Sequence, residues 1–325
     1  MSFQEVVGQA AAIKILQNSL KEKRRGLSYL FHGPSGLGKA FVARQFAKGL
    51  NCQRQGEDCC DACAPCLKAE RLEYPDLYWL DLEDSGSIKI EQIRFLQGVI
   101  NLKPFEGRVK VFVINNCQGL TEEAANCLLK VIEEPPLDSV IILITANPRS
   151  LLPTITSRCQ KIKFSNLARL QVKEILERKC NLDSKQSRYL SFYLDGRLAD
   201  AISLSLGGGD FLAQRDVILD KFLHSPTQGR GEDLSKDKAK AAQALSILIS
   251  WFRDLLLVKV NMGEEYLINR DRFVEISKEA HRYSYPQLLS LLNSLAKDLG
   301  YLKQNVNPRL IADNLWMSLS GLWKS

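Results

Sequence analysis

Two clusters of residues in this sequence could do chemistry. The first is a glycine-rich loop, Gly33-Pro34-Ser35-Gly36-Leu37-Gly38-Lys39, which follows the apolar run Tyr29-Leu30-Phe31 and opens a helical stretch through about Gly49. Glycines there let backbone N–H groups turn inward around phosphate oxygens, and the helix N-terminus adds a favourable dipole. Gly33, Gly36, Gly38 and Lys39 are therefore candidate ATP contacts, with Lys39 reaching the β and γ phosphates. Hydrolysis needs more than this loop. The position after the lysine normally carries a Ser or Thr hydroxyl that holds Mg²⁺, and here it is Ala40. The apolar strand Val109 to Ile114 should end on a metal-holding Asp, often followed by a water-activating Glu. It ends instead on Asn115-Asn116. With all three positions altered together, the chain is not expected to hydrolyse ATP. The loop either still holds a nucleotide or has become purely structural.

The second cluster is Cys60-x2-Cys63-x2-Cys66, with Cys52 eight residues before it. Four thiolates can close a tetrahedral Zn²⁺ site, and a closed site is structural because no position stays open for substrate. Cys52, Cys60, Cys63 and Cys66 are the candidate ligands. Cys59 is left free, because adjacent cysteines rarely serve one tetrahedral ion comfortably. The competing reading is a set of reduced free thiols. Cys117, Cys127, Cys159 and Cys180 are scattered and are read as buried small side chains.

These residues must be held by something. Apolar strand-like segments at Tyr29–Phe31, Asp76–Leu82, Val109–Ile114, Val140–Thr145 and Gln160–Phe164 alternate with helical patterns. One such helix runs over Glu122–Glu134 and is stopped by Pro135-Pro136. Alternation of this kind predicts a parallel α/β sheet. After about Asn166 the strand signals fade and helical patterns take over, at Leu167–Arg178, Ser184–Tyr193 and Gly196–Leu206. A polar loop is expected over 225–238. Apolar stripes such as Leu245, Leu248, Ile249 and Phe252 mark a final helical region.

At this point a resemblance to a known family enters. Leu128-Leu129-Lys130-Val131-Ile132-Glu133-Glu134-Pro135-Pro136, Thr145-Ala146-Asn147-Pro148 and Ser157-Arg158-Cys159 resemble the AAA+ subunits of bacterial sliding-clamp loaders. Asn305 to Leu310 looks like the opening of that family's final collar helix. The resemblance spans nearly the whole chain. It implies a RecA-like AAA+ α/β domain over residues 1–165 with a zinc module at about 52–66. A helical lid over 166–210 and an all-α collar over 211–325 would follow. It implies that Arg158 is an arginine finger reaching into the ATP site of a neighbouring subunit. It implies partners as well: gamma or tau, delta, the beta sliding clamp and primed DNA, within DNA polymerase III. The family's second sensor arginine falls in a Gly-x-x-Arg pattern. Here Gly196-Arg197-Leu198-Ala199 has alanine at that position.

Composition fits this picture. The 325 residues are 45% hydrophobic and 25% charged, enough for two or three domains with real cores. The net charge of +7 permits contact with nucleic acid without requiring it. No secretory signal is read at the N-terminus, and the longest apolar run, Val140 to Ala146, is far below the roughly 20 residues that span a bilayer. A cytoplasmic location without membrane partners is expected. Two rivals remain: an active gamma- or tau-like motor subunit with an altered metal site, and a zinc-dependent DNA-binding protein. No strongly basic or aromatic-interleaved stripe favours the latter.

Overall fold

The computed structural model describes residues 2–83, 86–206, 210–223, 237–304 and 306–323. Residues 225–236 of the expected polar loop, and Asn305 of the expected collar-helix opening, lie outside the described residues. The chain forms two compact units. One is Met1–Leu167 with Arg197–Ala199, and the other is Ala168–Gly196 with Asp200–Ser325.

The first unit is built on five parallel strands: β1 (Leu27–His32), β2 (Leu77–Leu80), β3 (Lys110–Ile114), β4 (Ser139–Thr145) and β5 (Gln160–Lys163). Their order across the sheet is β2-β3-β4-β1-β5. Every residue of β3 and β4 is buried, as expected for interior strands of a parallel sheet covered on both faces. Alternation along the strands divides the core. Tyr29, Phe31, Val111, Val113, Val140 and Ile142 face one side, against α1 (Ala10–Lys21) and α2 (Lys39–Asn51). Leu30, Phe112, Ile114, Ile141 and Leu143 face the other. That face carries α4 (Ile90–Ile100), α5 (Glu122–Glu133) and α6 (Pro153–Arg158); a short α3 (Ala64–Glu70) precedes β2. Helix α5 begins where the Thr121 side chain accepts from the Ala124 N–H, with Glu122 and Glu123 in its first turn.

The approach to β3 is fixed by one buried carboxylate. Asp76 accepts from the backbone N–H groups of Phe105, Glu106 and Gly107 at 2.7, 2.8 and 2.7 Å. Its own carbonyl accepts from the Val111 N–H at 2.8 Å, so the loop and the strand are set from one residue.

The second unit is helical. Its core surrounds the long helix Lys238–Lys259, which buries Leu245, Leu248, Trp251, Phe252 and Leu255. By length and composition this helix could cross a membrane, but its apolar face is occupied in that core. Arg215 is fully buried. It meets Asp271 through two hydrogen bonds of 2.8 and 2.6 Å and lies 5.0 Å from the Tyr189 ring centroid. A buried guanidinium is tolerated only when paired in this way.

Replacing Asp76 by Ala strands three backbone donors at the entry to β3. We expect a loss of about 3 kcal/mol in the unfolding free energy of the first unit, read as a lowered urea midpoint.

Candidate nucleotide and metal sites

The phosphate loop joins β1 to α2. Gly33 has φ 145°, and a Cβ there would come within 2.3 Å of the Phe164 carbonyl oxygen, so only glycine fits. Gly38 caps α2 in the left-handed conformation at φ 78°. Lys39 is buried, and its ammonium donates to the carbonyls of Gly33 at 2.7 Å and Pro34 at 2.6 Å. The ammonium thus lies within the loop it would serve. Ala40 sits next to it, half-buried against the core, with a methyl where a metal-binding hydroxyl would stand. The backbone N–H of Ala199 donates to the Gly36 carbonyl at 3.0 Å, so residue 199 reaches the loop through its main chain.

At the carboxyl ends of β2, β3 and β4 lies a network that the sequence reading missed. Asp81, one residue beyond β2, accepts from the Asn115 amide at 2.7 Å and the Asn116 amide at 2.9 Å. Gln118 donates to the Asn116 side-chain oxygen at 3.3 Å, and the Thr145 hydroxyl donates to the Gln118 oxygen at 2.9 Å. The Asn147 N–H donates to the Thr145 hydroxyl at 3.0 Å. Burial pushes the Asp81 carboxyl up. Bonds from Asn116, Asn115 and the Leu82 N–H outweigh it and hold the group below its ordinary value. Both asparagine amides are therefore used in holding a carboxylate that comes from a different strand. An Asp at the end of one apolar segment, facing two Asn at the end of the next, is visible in the sequence. Only the parallel pairing of β2 with β3 brings them together.

The cysteines converge. The sulfurs of Cys52, Cys60, Cys63 and Cys66 all lie within 4.8 Å of one another. A tetrahedral site with metal–sulfur bonds of about 2.3 Å spaces its sulfurs roughly 3.8 Å apart, so the four can hold a metal ion with small adjustments. Cys52 ends α2, Cys63 caps α3, and Cys66 lies in the first turn of α3. The Cys63 N–H donates to the Cys60 sulfur at 3.4 Å. The backbone N–H of Ala62, followed by that of Cys63, pulls the Cys60 thiol down to about 6, which favours the thiolate that a metal requires. Burial pushes the Cys66 thiol up. Cys59 is buried beside the cluster but its sulfur faces Gln45 and Asp61, each at 3.7 Å, and burial raises its thiol to about 12.

The module is tied to α2 by charge. Lys48, fully buried on that helix, bonds Asp61 in the cysteine loop and Glu70 at the end of α3, the latter at 2.7 Å. From the loop before β3, Arg108 donates to the Cys52 carbonyl at 2.6 Å and the Leu50 carbonyl at 3.3 Å, closing the C-terminal end of α2.

Arg158 is the last residue of α6 and is partly exposed. It pairs with Glu133 at 2.9 Å and donates to the Thr154 carbonyl at 3.1 Å.

Asp81→Asn should cost about 1–3 kcal/mol at neutral pH, because two amides lose a charged acceptor. A carboxyl held low in the folded state stabilises fully above its unfolded value, and this contribution is lost as the pH falls through the folded value. The gap between wild type and variant should therefore shrink as urea midpoints are measured at progressively lower pH.

Comparison with known proteins agrees with the geometry. The family described as DNA polymerase III, delta subunit, matches residues 8–168. The family for the delta subunit's C-terminal part matches residues 232–319. The chain is 30% identical over 321 residues to DNA polymerase III subunit delta' of Bacillus subtilis, covering 96% of each. It is 28% identical to DNA polymerase III subunit tau of the same organism, covering 95% of this chain and 59% of tau. Among solved structures, a gamma subunit-related protein of DNA polymerase III from Thermotoga maritima has the same fold, with a TM-score of 0.50 at 21% identity over 95% of this chain and 98% of that one. Matched from end to end at this identity, the chain belongs to the DNA polymerase III delta-prime family, the clamp-loader subunits that its sequence motifs resemble.

Proposed function

We propose that this chain is a non-hydrolysing subunit of a sliding-clamp loader. It supplies Arg158 in trans to the ATP site of a neighbouring gamma or tau subunit. The observation that carries this reading is the state of its own site. Ala40 offers no oxygen to a metal ion, and Asn115 and Asn116 donate to Asp81. Asn is a poor general base and a weaker Mg²⁺ partner than a carboxylate. An arginine placed against a γ-phosphate, by contrast, stabilises transition-state charge without moving a proton, and such fingers contribute about 10³–10⁵ in rate. The similarity to tau keeps one rival, the motor subunit, which must turn over ATP on its own.

In this reading residues 1–165 form the ATPase-like domain, 166–210 the lid and 211–325 the collar. The assembly, with delta, opens the beta clamp and loads it at primed DNA in the cytoplasm. Zn²⁺ occupies the four cysteines and acts as a structural cross-link between the end of α2 and the start of α3. The geometry of the four sulfurs and the lowered Cys60 thiol support this assignment.

Two measurements test these assignments. ATP turnover is read for gamma or tau with delta on primed DNA and clamp, with this chain added as wild type or Arg158→Ala. The chain alone serves as the blank. We expect a silent blank and a stimulation at least about tenfold larger with wild type than with the variant. Turnover in the blank that Lys39→Ala removes would make the chain a motor subunit. For the metal, elemental analysis should give about one zinc per chain in wild type and Cys59→Ser, and far less in Cys66→Ser. Equal zinc in all three would exclude the quartet.

A further inference from the structure

We propose that Glu133 is a positioning residue for Arg158, holding its guanidinium in place for the neighbouring subunit's phosphate. The inference rests on the reading of Arg158 as a trans-acting finger. Glu133 closes α5 and Arg158 closes α6. The two helices share one core, which includes Leu128 and Ile132 of α5 and Ile155 of α6. Both backbones are thereby fixed, but a long arginine side chain on a helix of six residues is not. Its rotamer freedom must be lost whenever it docks on a phosphate.

Two contacts remove that freedom in advance. Nη2 pairs with the Glu133 carboxylate at 2.9 Å, and Nη1 donates to the Thr154 carbonyl at 3.1 Å. Thr154 is the second residue of α6, one turn before Arg158, and its carbonyl also accepts from the Ser157 hydroxyl at 3.1 Å. A guanidinium carries five N–H donors in a planar fork. Two of them make these contacts. The Nε–H and the second hydrogen on each terminal nitrogen remain for an incoming anion. The pair therefore orients the finger without saturating it.

The alternative, that the pair stabilises the fold, is weak on magnitude. Side-chain exposures of 39% and 47% place it among surface ion pairs, which add little to stability. Its effect should appear in catalysis in trans and not in unfolding.

The test is a double-mutant cycle in the complete assembly of this chain with gamma or tau and delta, on primed DNA and clamp. Wild type, Glu133→Ala, Glu133→Gln, Arg158→Ala and the double variant are compared in kcat and in urea midpoint. We expect Glu133→Ala to lower kcat about three- to tenfold with an unchanged midpoint, the scale of one arginine's lost order. Glu133→Gln, which keeps an acceptor, should fall between. In the Arg158→Ala background Glu133→Ala should change nothing further. Added salt should bring wild type towards Glu133→Ala, since it screens an exposed pair. A rise in kcat on Glu133→Ala would mean that the carboxylate sequesters the finger. An unchanged kcat with Arg158→Ala still defective would mean that the pair is idle. Either result overturns the inference and leaves the finger standing. If Arg158→Ala is itself without effect, the finger reading fails and the inference fails with it.

Discussion

The whole arrangement depends on the double pairing of β4. This strand bonds β3 on one side and β1 on the other, both in parallel. Parallel pairing sends every strand's carboxyl end to the same edge of the sheet, where ligands of open α/β sheets bind. Thr145, at the end of β4, thus stands between the phosphate loop after β1 and the asparagines after β3. Since β4 is buried on both faces, a slip by one residue would exchange the side chains packed with Val140 for those packed with Ile141, and the fit of both cores holds its register. The register that keeps each half of the core packed is also what aligns the strand ends.

Helix α2 carries the second link. It starts at Lys39 in the phosphate loop and ends next to Cys52, and thirteen residues span about 20 Å. The two chemical clusters of this protein are the two ends of one rigid rod. At the cysteine end, buried Lys48 joins Asp61 to Glu70, and Arg108 covers the last carbonyls of the helix. Buried charge is costly unless paired, and here each partner belongs to a different segment. The cysteine module is therefore an extension of α2 and not a detached insert.

At the carboxyl edge of the sheet, two neighbouring asparagines need acceptors. Asn115 and Asn116 would leave partly buried amides without acceptors, which is expensive. Asp81 accepts from both, and Gln118 and Thr145 extend the chain of bonds to the next strand. A polar network whose members satisfy one another is stable without a metal ion, and Asp81 stays charged because three donors point at it.

Much of this was legible in the sequence because it depends on local chemistry. The apolar runs became β1 to β5, Pro135-Pro136 ended α5 near the expected residue, and the final helix opens at Pro308, within the segment expected to start it. The loop glycines, Ala40 after Lys39 and the Asn115-Asn116 pair after the third apolar run could be named one by one, and the Cys60-x2-Cys63-x2-Cys66 spacing selected three sulfurs. Three things were decided only by tertiary structure. Strand order brought Asp81 to the asparagines across 34 residues of sequence. Packing of α5 on α6 brought Glu133 to Arg158. The fold of the cysteine loop turned Cys59 towards Gln45 and Asp61, outside the quartet. The physical reason is common to all three. Periodicity and turn chemistry act over a few residues, whereas a side chain's charge partner is set by which elements the buried core forces together.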